Sequence, residues 1–355
     1  MHTFRRRSLI ARMAALPLVA ALPAWAQQPG TVVAFPYYTA EHALQGLYTK
    51  HLPPLLQAFE TQARALTAAA RQQCSGQVPP AALSEAWSRA RLAWMAVANP
   101  ALGPVITRRT QREIDFWPLR PPLLKRAIDG KPQTAGEMRR IGGPAKGFPA
   151  IEALLAGEPS PAHCPYLALV AEAIEFEAGA LRKEFEVLGA KDWSGDEDAA
   201  RASFAEWINQ WLGGLENLRW QQIEQPVQKG RTASKEPAFA RKRFEDNRAD
   251  WNVQWESLRA QARLKPGERN APPQPGQALV SIEALLLGKG QMALAEKWGK
   301  AIDAASAAMG ALPAQPGEKD FMALSARLKA VTSLYQGEVA PALDVPLGFS
   351  SADGD

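Results

Sequence analysis

Apolar residues return every third or fourth position through residues 52–72, in a stretch otherwise rich in Ala, Gln and Arg. That is the period of one face of an α-helix. The same period recurs through 81–98, 166–187, 204–224, 239–263, 292–309 and 321–336. No stretch sustains the period-two alternation of β-branched residues that marks a strand. Prolines and glycines punctuate the helical runs at Asn99-Pro100, at Gly103-Pro104 and across KPGERNAPPQPG at 265–276. The prolines within 115–122 remove backbone donors and clash with a preceding turn, which excludes regular helix there and leaves a short helix at 123–128. The chain is therefore predicted to be all-α, with each helix burying one apolar face.

The opening segment MHTFRRRSLIARMAALPLVAALPAWA, residues 1–26, stands apart. Its basic start, apolar middle and Ala24-Trp25-Ala26 ending have the form of a secretory leader cut after Ala26. Arg6-Arg7-Ser8-Leu9-Ile10 resembles a twin-arginine signal, with Arg12 interrupting the apolar run. The mature protein is expected in the periplasm, and no later stretch is long and apolar enough to span a bilayer. Without the leader's arginines the formal charge of +5 becomes a near balance of 37 basic against 36 acidic residues. The basic pI is thus a property of the leader and no sign of a nucleic-acid partner. Cys74 and Cys164, an even pair in an oxidising compartment, are expected to be bridged, tying the end of an early helix to a later loop. His163 beside Cys164 is not spaced as metal ligands are.

GFPAIEALLAGE at 147–158 returns in part as ALVSIEALLLGK at 278–289. From Pro144 to Gly157, with a shift of 131, seven of 14 positions are identical. Gly157 and Gly288 close the two copies and suit the end of a helix. The repeat predicts an internal duplication: a first helical bundle over 27–195, a second over 196–340, and an extended tail over 341–355. Pro149 falls in the first turn of its helix, where its missing N–H costs nothing. Glu152 and Glu283 then sit near the positive ends of their helices, and two readings stay open. Either each carboxylate stabilises a helix start, by roughly 0.3–1 kcal/mol, or both face inward at the junction of the bundles as ligands or anchors.

Trp207/Trp211 and Trp251/Trp255 are spaced i,i+4 and Trp87/Trp94 are spaced i,i+7, the pattern of core aromatics. Arg91 shares a helix with Trp87. A buried arginine needs a carboxylate, and Glu152 and Asp115 are natural partners. Such a pair, if accessible, binds an anionic or chelated ligand. Arg108-Arg109 and Arg139-Arg140 read as solvated surface, and Asp196-Glu197-Asp198 as the cap of a following helix. There is no nucleophile elbow, no H-E-x-x-H and no phosphate-cradling glycine loop.

Behind such a leader, PAKGFPAIEALLAG, REIDFWPLRPPLL and the closing PLGFSSADGD together resemble the imelysin-like family, over essentially the whole mature chain. The resemblance implies an exported, all-helical protein of two bundles related by duplication. The family's motif, Gly-x-His-x-x-Glu, maps onto Gly147 and Glu152, with Pro149 in the place of the histidine and Val280 in the second copy. It also implies a site at the bundle junction near Glu152, Asp115, Arg91, Trp87, Trp117 and Glu283. Iron or another divalent metal is the implied cofactor class, and a periplasmic or outer-membrane uptake component the implied partner.

His and Glu three residues apart share a helix face and can grip a metal together; proline cannot. The mature chain has three histidines, His42, His51 and His163, and none begins a His-x-x-Glu. One reading brings His42 and His51 from the first helix onto Glu152 as metal ligands. The other leaves His51 at a helix entrance beside Pro53-Pro54 and His163 in the loop of Cys164. The expected function is an exported binding protein for iron or related metal acquisition, with a degenerate metal motif and no catalysis of its own. Its expected ligand is a metal or a small anion. The alternatives are a metallopeptidase, as the family's name suggests, and a non-catalytic periplasmic scaffold.

Overall fold

Thr39 opens the first helix by a reciprocal cap, its hydroxyl accepting from the His42 N–H while the His42 ring accepts from the Thr39 N–H. The computed structural model describes residues 33–157 and 163–348, so the leader lies outside the described residues. Among them every regular element is a helix. Ala40–Gly46 (α1) runs through a π-helical turn into Leu52–Cys74 (α2), and Pro80–Ala98 (α3) packs on α2. Short helices follow at Pro104–Thr107 (α4), Thr110–Ile114 (α5), Pro121–Asp129 (α6), Ala135–Arg140 (α7) and Gly147–Leu155 (α8). The long Cys164–Ala190 (α9) then lies along α2. A disulfide joins Cys74 at the end of α2 to Cys164 at the start of α9, with the Cα atoms 5.5 Å apart.

Glu197–Glu216 (α10) starts on Asp196, whose carboxylate accepts from the Ala199 N–H at 3.0 Å. It continues through wide π-helical turns at Asn217–Glu224 into Gln225–Ala233 (α11). Phe244–Ala262 (α12), Ile282–Gly288 (α13), Met292–Gly310 (α14) and Glu318–Leu334 (α15) complete the order. Helices α2, α3 and α9 form one group, and α10, α14 and α15 another. The α12 helix packs on α3, α10 and α14, so both groups share it, and the chain from Ala34 onward forms one compact unit.

The tryptophans are core, as their spacing predicts: Trp87, Trp94, Trp207, Trp211, Trp251 and Trp255 are all buried. Their indoles also fasten the polypeptide to α12. Trp211 Nε1 donates to the Leu258 carbonyl at 2.9 Å and Trp298 Nε1 to the Ala262 carbonyl at 2.9 Å. Burying side chains of this size contributes about 1.5–3 kcal/mol each.

Two boundaries differ from the sequence expectation for identifiable reasons. Pro121 and Pro122 do not delay α6; they occupy its first turn, where a missing N–H has no partner to lose. Residues 239–243 are not helical, although the period runs through them. The Asn247 side chain takes the backbone there, accepting from the Arg241 N–H and donating to the Arg241 carbonyl, both at 2.8 Å. At the other end of the chain, helix persists to Ala342, inside the segment expected as an extended tail, and residues 345–348 are irregular. Among the described residues no helix is long and apolar enough to cross a membrane.

Candidate functional site

Asn247, Asp250, Gln254, Ser257 and Gln261 recur at three- and four-residue steps along α12, and all five are buried. That spacing puts them on one face, where a helix in this position ordinarily carries apolar side chains. A buried polar group is costly unless it is paired. Each of the five is paired. Ser257 Oγ donates to the Ala96 carbonyl at 3.0 Å, and Gln261 Oε1 accepts from Trp207 Nε1 at 2.6 Å. Gln254 exchanges two amide hydrogen bonds with Gln222, at 2.8 and 3.0 Å.

The charged end of this stripe holds a closed ion network. Arg91 is 0% exposed and lies between Asp246 and Asp250: Nη1 donates to Asp250 and Nη2 to Asp246 at 3.1 Å. Its Nη1 also reaches the Asp246 carbonyl at 3.0 Å, and its guanidinium carbon stands 4.7 Å over the Trp87 ring. Trp87 is itself anchored, its Nε1 donating to the Phe148 carbonyl at 3.0 Å. Arg241 forms a two-pronged pair with Asp115, both contacts at 2.8 Å, and its Nε donates to Asp250 at 2.8 Å. Arg243, at the exposed rim, adds a contact to Asp246 at 2.8 Å. Three arginines thus answer three aspartates. Burial, with the nearby Arg241 charge, pushes Arg91 down to about 10. Burial also opposes the Arg241 charge, but the carboxylates around it, Asp115 first and then Glu152 and Asp246, together hold Arg241 above its ordinary value.

Arg91 is buried and paired as expected, but with Asp246 and Asp250 of α12 and not with Glu152 or Asp115. Asp115 serves Arg241 instead. Glu152 Oε1 accepts the Lys242 N–H at 2.8 Å, just before α12 begins. Burial raises the Glu152 carboxyl above its ordinary value, against the opposing pull of the Lys242 N–H. Glu283 is fully buried and takes the Leu264 N–H at 3.1 Å, just after α12 ends, with Arg263 and Arg269 on the same carboxylate. The two glutamates of the repeated phrase therefore hold the two ends of one helix. A helix of that length spans about 28 Å at 1.5 Å per residue, so Glu283 does not join Glu152 in a single site, as the sequence reading had grouped them.

Gly147, the glycine matched to the family motif, has φ +75°, and a Cβ there would meet the Ile114 carbonyl oxygen at 2.2 Å. Glycine lets α8 close onto the end of α5, and so sets Glu152 beside the strap that carries Arg241. His42 is spent in the cap of α1. His51 Nε2 lies 3.4 Å from Gln261 Nε2, at the far end of the α12 stripe. Burial, together with Lys265, pushes His51 down to about 4. His163 precedes α9 as the residue before Cys164. The structure does not bring His42 or His51 onto Glu152.

A resident metal ion at this junction would draw on Glu152 and on residue 149, which is proline. Asp115, Asp246 and Asp250 are each already bound by arginine. Among the described residues no group of three or more His, Cys, Asp or Glu side chains is placed to hold a metal ion. The residues present do not fit one.

Beside the ion network lies a cleft of about 550 Å³. Asp115, Arg241 and Asp250 line it, together with Trp117, which is 43% exposed. The residues it takes from α10, the π-helical turns and the start of α11 are mostly neutral and polar: Gln210, Gly213, Gly214, Asn217, Gln221 and Gln225. Gln210, Gly214, Asn217, Gln221 and Gln225 follow one another at three- and four-residue steps through α10, the π-helical turns and α11, with Gly213 beside Gly214. Sequence reasoning missed this wall. Its signal was a helix face with amides and glycines where leucines are usual.

A family model described as Peptidase_M75: Imelysin matches residues 51–343. No curated protein matches the chain. Among solved structures, an imelysin-like protein from Psychrobacter arcticum 273-4 is similar, with a TM-score of 0.70 and 19% identity over 90% of this chain and 100% of its own. A protein named as an iron-regulated protein A precursor, from Parabacteroides distasonis ATCC 8503, has a TM-score of 0.65 and 15% identity over 88% of this chain and 98% of its own. At such identities the likeness shows a shared fold.

Proposed function

The chain belongs to the imelysin family, and from that premise we propose that it is an exported binding protein of the periplasm, serving iron or related metal acquisition through an organic or chelated ligand and not a bare ion. The observation that carries this reading is the closure of the ion network. The three aspartates nearest the motif are taken up by Arg91, Arg241 and Arg243. Glu152 is engaged by a backbone N–H, and Pro149 offers no donor atom. Bringing a cation here means displacing an arginine from a buried carboxylate, which costs several kcal/mol. The open cleft beside the network has the size of a small-molecule site. The name of the Parabacteroides distasonis protein, an iron-regulated precursor, supports the link to iron and to export. The leader-like segment 1–26 supports the periplasm.

Calorimetric titration of residues 27–355 tests the reading. Ferrous ion, ferric citrate and citrate alone are added in turn to wild type and to Glu152→Ala. The proposal expects no stoichiometric uptake of ferrous ion. Tight ferrous binding that disappears in Glu152→Ala would return the bare-metal reading.

A further inference from the structure

We propose that the cleft between Trp117 and the amide wall takes a neutral, polyhydroxylated ligand of the carbohydrate type. This rests on the reading of the junction as an organic-ligand site and names the ligand's chemical class.

The chemistry of the wall selects it. A primary amide offers two donors and a carbonyl acceptor with no net charge, while a hydroxyl donates one hydrogen bond and accepts two. A surface of amides can therefore satisfy a row of hydroxyls without burying an unpaired charge. Gln111, Gln210, Gln221, Gln222, Gln225 and Gln254 all line the cleft. Two of these, Gln222 and Gln254, are locked to each other. Among the described residues Gln210 and Gln225 make no side-chain hydrogen bond. Gln111 spends only its NH₂, on the Asp115 carbonyl at 2.8 Å. Amide capacity is therefore open toward the cleft from both α5 and the α10–α11 wall.

Gln210, Gly214, Asn217, Gln221 and Gln225 stand three and four residues apart, so they border the cleft in a row from α10 through the π-helical turns at Asn217–Glu224 into α11. Such turns are frequent at functional sites. Gly214 completes the surface. A Cβ there would meet Asn99 Oδ1 at 2.0 Å, so the absent side chain leaves room for the Asn99 amide at the cleft.

Trp117 also lines the cleft, and its exposure leaves an indole available for the C–H face of a sugar ring. Charge argues against an ionic ligand. Arg241 faces the cleft already paired twice with Asp115, and Asp250 is shared between two arginines. Arg112 also lines the cleft but is exposed to solvent. The volume of about 550 Å³ suits a short oligosaccharide and falls within the usual range for ligand sites.

The test titrates maltotriose, cellotriose, xylotriose and N,N′-diacetylchitobiose into residues 27–355, with ferric citrate and ferrous ion in parallel, by calorimetry and tryptophan fluorescence. Wild type is compared with Trp117→Ala and Gln210→Ala. Trp117 is exposed and Gln210 half-buried, and circular dichroism checks that both variants fold. The expected result is saturable one-to-one binding of at least one neutral sugar, weakened about ten-fold or more by Trp117→Ala and also weakened by Gln210→Ala. The proposal is overturned if no neutral sugar saturates the folded protein, or if one binds equally well to both variants. Ferric citrate binding without sugar binding would overturn this inference and leave the organic-ligand reading standing. Ferrous binding lost in Glu152→Ala would overturn that reading as well.

Discussion

Arg91 decides whether the junction is neutral. It alone faces both Asp246 and Asp250 from the α3 side. Arg91→Leu should therefore destabilise the protein by roughly 3–5 kcal/mol, because it leaves buried carboxylates short of a counter-charge. Urea unfolding measures this, and a loss below about 1 kcal/mol would mean that the network is solvated. His51 gives a pH signature. Its value of about 4 in the fold lies below the ordinary 6.5, so the folded chain binds fewer protons than the unfolded chain between those values. Stability is then indifferent to His51 above pH 6.5 and falls as pH drops toward 4, by up to roughly 3 kcal/mol. His51→Gln should flatten that part of the stability–pH curve; an unchanged slope would place the titration elsewhere. At this scale much was legible. That Arg91 is buried and needs a carboxylate follows from its place beside Trp87. Its partners did not follow, because Asp246 and Asp250 lie more than 150 residues away on a helix whose polar residues look like a solvated face.

At the scale of elements, α12 is the object that the repeated phrase serves. Glu152 holds its entry and Glu283 its exit. The two grips differ in strength. Glu283 is fully buried with two arginines, whereas the Glu152 contact is a single one to a backbone N–H at the exposed Lys242. Glu283→Ala should cost about 2–3 kcal/mol and Glu152→Ala about 1 kcal/mol, by the usual worth of charged and single hydrogen bonds. Hydrogen exchange should speed at the Leu264 amide in the first variant and at the Lys242 amide in the second. Equal effects at both amides in either variant would show that the ends are not held separately. The helical period made α12 visible, but its start was read five residues early. Period alone cannot register a side chain, here Asn247, that claims the backbone of residue 241 for a turn. The phrase itself was found, and both of its copies open helices. Its target was hidden because it is a third element between them.

For the whole molecule, the shared α12 makes the two helix groups one mechanical unit. Heating should give a single cooperative transition despite the length of the chain; two resolved transitions by calorimetry would show that the groups fold independently. Replacing Cys74 and Cys164 by Ser should lower stability by roughly 2–5 kcal/mol, since the bridge closes a loop of 90 residues. The all-α class and the pairing of the cysteines were readable from period and composition. The amide wall was not: the helical spacing of Gln210, Gly214, Asn217, Gln221 and Gln225 shows that they share a face, but a polar helix face reads as solvated and does not say that it borders a cleft. The central claim is that the acidic junction is neutralised from within and holds no resident metal. Elemental analysis of residues 27–355, purified without chelator beside Glu152→Ala, tests it most directly. The account predicts no stoichiometric transition metal in either protein. One metal per chain in the wild type, absent from Glu152→Ala, would contradict it.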